Sequence, residues 1–71
     1  MRVGILQFYF LDKGYGYLRE LNTREEFYFT ISELKEPVEA KDRVSFELGE
    51  NRHGFFAKNI RLIEKAKKLE L

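Results

Sequence analysis

Between residues 13 and 19 the chain reads Lys-Gly-Tyr-Gly-Tyr-Leu-Arg, and this stretch constrains the fold more than any other. Successive side chains of an extended strand point to opposite faces. Tyr15, Tyr17 and Arg19 therefore share one face, and Gly14, Gly16 and Leu18 the other. Turning the tyrosines into a core would bury Arg19 with them, at a cost on the order of several kcal/mol for an unpaired charge. The tyrosines accordingly face water. The glycines between them let the strand bend sharply, as closure into a small barrel requires.

Four further extended segments accompany this one, which is expected from Tyr15 to Leu21. They are expected from about Val3 to Leu11, Glu26 to Ile31, Arg43 to Leu48 and Gly54 to Ile63, separated by turn-prone or charged residues. Period-two sorting sends Val44, Phe46 and Leu48 inward against Arg43, Ser45 and Glu47. It also sends Phe27, Phe29 and Ile31 inward and leaves Tyr28 outside. Ser32-Glu33-Leu34 reads as a helical turn stopping before Pro37, and Gly49-Glu50-Asn51 as the turn after the fourth strand. Five short strands at this spacing predict an all-β protein, a small antiparallel barrel or sandwich. The 71 residues suffice for one domain, read as a barrel over 1–63 and a charged C-terminal tail over 64–71.

If the second and third strands form a hairpin, Tyr15, Tyr17 and Tyr28 lie on one surface, roughly 5 to 8 Å apart. Aromatic residues make up 15% of the chain, seven Phe and four Tyr, enough to supply both a core and a working surface. Such a surface suits single-stranded nucleic acid, because every unpaired base offers a π-face and stacking is worth ~1–3 kcal/mol per base. A plainer reading is that the tyrosines only stabilise the sheet as cross-strand pairs. Three of them on adjacent strands, beside two glycines and Lys13 as a phosphate contact, favour the binding surface. The net charge of +1 is low for a protein relying on many phosphate contacts, so stacking must carry much of the affinity.

Other classes fare worse. Without cysteine, and with His53 as the single histidine, the chain offers no thiolate metal site or cysteine nucleophile, and no cofactor is expected. Its carboxylates are scattered through charged turns, so no catalytic constellation stands out and an enzyme is not expected. No stretch approaches the ~20 apolar residues of a membrane span, and the expected location is the cytoplasm.

Lys13-Gly14-Tyr15-Gly16-Tyr17-Leu18 resembles the KGFGFI motif of the bacterial cold-shock proteins, with tyrosine in place of both phenylalanines. The likeness continues in order along the chain. Gly4-Ile5-Leu6-Gln7-Phe8-Tyr9-Phe10 is similar to GIVKWFN, and Phe27-Tyr28-Phe29-Thr30-Ile31-Ser32 to VFVHFS. Val44-Ser45-Phe46-Glu47 matches V-S-F-E, and Gly54-Phe55-Phe56-Ala57-Lys58-Asn59-Ile60 is similar to GPQAxNV. The resemblance spans residues 4 to about 62. It implies an OB-type barrel that binds single-stranded RNA or DNA with low sequence selectivity and acts as an RNA chaperone.

Carried over residue by residue, the resemblance implies a stacking surface of Phe8, Tyr15, Tyr17 and Tyr28, with Gln7, Lys13 and Thr30 around it. Phe8 stands at the family's tryptophan. Strand parity alone would turn it inward with Leu6, so its exposure requires a bulge or a strong twist. Gln7 and Phe10 replace the usual lysine and asparagine, and Thr30 and Ile31 the usual histidine and phenylalanine. These departures imply weaker binding. One of Phe55 and Phe56 should be exposed, and Phe56 is assigned to the nucleic-acid side. His53 reads as a solvated turn residue. The expected partner is single-stranded RNA or DNA, with the chain a monomer or a weak or strand-swapped homodimer. The rival reading is an OB or SH3-like barrel whose aromatic patch mediates protein–protein contact or homodimerisation.

Overall fold

The computed structural model describes residues 1–66. Five strands run β1 (Arg2–Phe10), β2 (Tyr15–Glu20), β3 (Glu26–Thr30), β4 (Arg43–Asn51) and β5 (Gly54–Glu64). A single 3-10 turn, Ile31–Glu33, follows β3. All strand pairs are antiparallel, and the order β3-β2-β1-β4-β5 makes one coiled sheet with β1 at its centre. The expected all-β, OB-type architecture is what forms, as a partly open barrel: β3 and β5 approach each other without a shared hydrogen-bond ladder.

The alternation read from the sequence sets the two faces. Leu6, Leu18, Phe27, Phe29, Val44, Phe46, Ala57 and Ile60 are buried on the concave side, closed over by Val38 from the loop after the 3-10 turn. The Phe27 and Phe46 rings lie 5.8 Å apart across this core. Burying each large side chain contributes about 1.5–3 kcal/mol, the main stabilising term in so small a domain. Leu48 and Ile31, expected in the core, only reach its margin, because Ile31 already belongs to the 3-10 turn.

Two features depart from the expectation drawn from the sequence. In β1 the pairing with β2 shifts register between Leu6 and Phe8, so Leu6 faces Leu18 while Phe8 faces Tyr17. Gln7 is the extra residue of this bulge, which turns Phe8 outward. The β4–β5 hairpin is longer than the sequence implies. Its ladder continues through Gly49, Glu50 and Asn51 to Gly54, so the turn lies at Arg52-His53 and not at 49–51. Asn51 Oδ1 accepts the His53 amide at 2.8 Å, and Gly54 takes φ 116°, a conformation suited to glycine.

The outer edge of β5 is covered by the segment after β3. Lys35 N donates to Ile60 O at 3.0 Å, and Glu33 and Glu36 carboxylates accept the Asn59 and Leu62 amides at 3.0 and 2.7 Å. A strand edge occupied in this way is withdrawn from pairing with other chains. Asp42, buried just before β4, performs a second tying role. Its carboxylate accepts the Glu39 amide and the Ala66 amide, both at 2.8 Å, and Lys65 Nζ at 3.4 Å. Burial alone would raise its pKa. The two amides and the ammonium outweigh that and hold the carboxyl below its ordinary value. Glu64, grouped with the tail on sequence, closes β5, and Lys65 and Ala66 are fastened at Asp42. The charged tail expected beyond them, 67–71, lies outside the described residues.

Candidate functional site

The outward faces of β1, β2 and β3 carry five aromatic rings in one connected patch. Tyr17 pairs with Phe8 on one side and Tyr28 on the other, and Tyr15 pairs with Phe10 and Thr30. Registers of this kind bring same-face side chains into contact across strands. Phe8 and Phe10 are 5.3 Å apart by ring centroid, Phe10 and Tyr15 5.6 Å, and Tyr15 and Tyr28 5.7 Å. Tyr28 to Tyr17 is 5.9 Å and Tyr17 to Phe8 5.5 Å, which closes a circuit, and Tyr15 to Tyr17 braces it at 6.1 Å.

Most of these contacts are tilted or edge-on, the arrangements that ring quadrupoles favour, and Tyr15 lies nearly flat against Tyr28 at 27°. Each ring is held by at least two others, so the patch is ordered before any ligand arrives. A preordered surface loses less side-chain entropy on binding. Phe8, Phe10 and Tyr28 remain about two-fifths exposed, whereas Tyr15 and Tyr17 sit between their neighbours and are half-buried.

Beneath the rings, Gly16 is required. A Cβ there would strike the Phe8 carbonyl, the Tyr9 Cβ and the Phe29 ring, so β1 and β2 could not approach as closely as they do. Tyr9, between Phe8 and Phe10, points the opposite way, and its hydroxyl donates to Val38 O at 2.9 Å. That bond ties the 34–41 loop to the strand that carries the exposed phenylalanines.

The polar residues named from sequence are distributed unevenly. Lys13 Nζ lies 5.3 Å from the Phe10 ring centroid, a cation–π contact at the rim of the patch. Thr30 is exposed beside Tyr15 and shares a hydrogen bond with the Ser32 hydroxyl at 3.0 Å. Gln7 is not brought to the rings. It lies in the bulge, donates to Ile5 O at 3.3 Å, and lines a separate cleft with Arg19 and Arg24.

Phe56 requires a correction. Phe55 is the exposed member of the pair, at 59%, while Phe56 is half-buried with its ring against Gly49. The strand pairing sets Phe56 opposite Gly49, and the missing side chain leaves a seat for the ring. Both phenylalanines nevertheless line a cleft of about 440 Å³ with Tyr28, Thr30, Asn51 and His53. This cleft joins the patch to the β4–β5 hairpin, and Tyr28 belongs to both.

Phe10, in the sequence only a substitution for asparagine, is a full member of the circuit. Once Phe8 is taken as outward, period two makes Phe10 outward as well, so the signal was present. Phe55 had no such signal, because its exposure depends on how far the hairpin projects beyond the core. Among the described residues no cluster of His, Asp and Glu could hold a metal ion, and no helix is long and apolar enough to cross a membrane. The chain matches no protein-family model and no curated protein.

Proposed function

We propose that this protein binds single-stranded RNA or DNA by stacking unpaired bases on the rings of Phe8, Phe10, Tyr15, Tyr17 and Tyr28, and that it acts as an RNA chaperone of the cold-shock type. The observation that carries this reading is the unbroken, preordered circuit of five rings on one face of an OB-type sheet. Successive ring centroids lie 5.3–5.9 Å apart around it, so neighbouring bases of an extended strand have neighbouring rings to meet. The resemblance to the cold-shock proteins assigns the same role to Phe8, Tyr15, Tyr17 and Tyr28. Phe10 adds a ring where that family has asparagine, which offsets part of the loss at Thr30 and Ile31.

The mechanism is competitive and non-catalytic. Rings that engage the π-faces of single-stranded bases stabilise the open strand and oppose pairing, while the low net charge limits the electrostatic part of the affinity. Sequence selectivity is low because stacking accepts every base. Beyond Tyr28, the cleft flanked by Phe55 receives the strand as it leaves the platform. Activity on RNA suits the cytoplasm, the location read from the sequence.

The test is a titration of a fluorescently labelled single-stranded pyrimidine oligonucleotide followed by anisotropy at two salt concentrations. Saturable binding that a duplex of the same sequence does not match, with a shallow salt dependence, supports the reading. Absence of binding at low salt overturns it. The rival, an aromatic patch used for homodimerisation, draws on the near-zero net charge and predicts a concentration-dependent mass that oligonucleotide does not alter.

A further inference from the structure

The outward face of β2 continues past Tyr17 to Arg19, one strand period further along. The Arg19 side chain is about half exposed, and its guanidinium meets Glu26 through a single contact of 3.1 Å. A guanidinium has five N–H donors, so one such contact leaves it able to bind a further anion. Nearby, in the turn between β2 and β3, stands Arg24. Its φ of 64° is uncommon for a residue other than Gly, Asn or Asp, and its amide is held by Glu20 O at 2.9 Å.

The two arginines line a shallow cleft of about 330 Å³ with Ile5, Gln7, Glu20 and Leu21. The one carboxylate among them is already engaged: Glu20 accepts Arg2 Nη1 on both oxygens at 2.9 Å and Thr23 Oγ1 at 3.0 Å. Arg24 forms no ion pair among the described residues. The cleft thus combines apolar walls from Ile5 and Leu21 with two guanidiniums and the Gln7 side chain, and its Arg19 follows Tyr17 on the outward face of β2. Guanidiniums suit a backbone phosphate, which they meet with paired N–H donors.

We infer that this cleft seats a backbone phosphate of the strand that stacks on the rings, contacted by Arg24 and Arg19. The inference rests on the single-strand reading above. Glu26 offsets part of the charge of Arg19, so Arg24 is the stronger contact. The arrangement supplies at the Tyr17 end of the platform the cation that Gln7 does not provide, and it balances Lys13 at the Phe10 end.

The decisive experiment measures oligonucleotide affinity against salt for the wild type, Arg24→Asn and Tyr17→Ala. Asparagine accepts the left-handed backbone at position 24, so this substitution removes the charge and leaves the turn in place. Each lost phosphate contact lowers the slope of log K against log salt by about 0.7 for a single strand. Between roughly 50 and roughly 200 mM salt, Arg24→Asn should therefore lose affinity about 2.6-fold less than the wild type does. Tyr17→Ala should weaken binding and leave the slope unchanged. If the wild type binds and Arg24→Asn keeps the wild-type slope, the phosphate seat is wrong and the platform stands. If the wild type binds no oligonucleotide, the platform falls and the seat falls with it.

Discussion

Replacing Tyr28 by alanine tests the platform where it meets the Phe55 cleft. The ring stacks on Tyr15 at 5.7 Å, meets Tyr17 edge-on at 5.9 Å, and forms one wall of the Phe55 cleft. Its loss removes one stacking partner outright, for which the expected cost is about 1–3 kcal/mol of binding, or roughly 5- to 150-fold in Kd. The same change costs folding stability. Two aromatic pairs at about 0.5–1.5 kcal/mol each would give about 1–3 kcal/mol beyond the burial of the ring itself. The residue is 41% exposed and the patch can relax, so about 1 kcal/mol is the better figure. A domain of this size has only about 3–5 kcal/mol to lose, so affinity must be measured where unfolding curves show the variant folded. Anisotropy with a labelled pyrimidine oligonucleotide gives Kd, and urea unfolding followed by circular dichroism gives stability. Tyr28→Phe keeps the ring and should bind within a few-fold of wild type. A folded Tyr28→Ala protein that binds within twofold of wild type would refute stacking on this ring, and with it the continuity of the platform.

Three other expectations follow from the same geometry. Gly16→Ala should destabilise the fold by about 2–3 kcal/mol, since the added Cβ meets a backbone carbonyl and a core ring that cannot easily move; an unchanged urea midpoint would contradict the close approach of β1 and β2. Phe55→Ala should weaken binding of oligonucleotides long enough to pass Tyr28 and leave shorter ones unaffected, which a length series at fixed salt reads directly. Asp42→Asn should destabilise the protein at neutral pH by about 1–3 kcal/mol, because the amide keeps one acceptor oxygen for two backbone donors. The Asp42 pKa is depressed in the folded state, so the stabilisation is present above the unfolded value of about 3.9 and is lost as pH falls through the folded one. The stability gap between wild type and Asp42→Asn should therefore narrow below about pH 4; a gap constant down to the acid limit would show that charge plays no part in this tie.

What the chain by itself determined is the content of its two faces. Alternation along a strand follows from covalent geometry, needs no partner, and can be read residue by residue. It placed Leu18, Phe27, Phe29, Val44 and Phe46 inside and Tyr15, Tyr17 and Tyr28 outside, which is how the structure has them. Arg19 supplied the decisive constraint, since an uncompensated charge cannot share a face with the core. Tertiary structure decided the rest. Phe8 and Phe10 join the patch because β1 pairs with β2 through a bulge at Gln7, and a bulge belongs to the register between two strands. Phe55 projects and Phe56 is half-buried because the β4–β5 ladder runs on past the core and sets Phe56 over Gly49. Asp42, Glu33 and Glu36 look like ordinary surface acids in the sequence, yet each accepts a backbone amide 24 to 26 residues distant. Period two is local and therefore legible, whereas register, bulges and long-range hydrogen bonds depend on which strands meet, and only the folded chain brings them together.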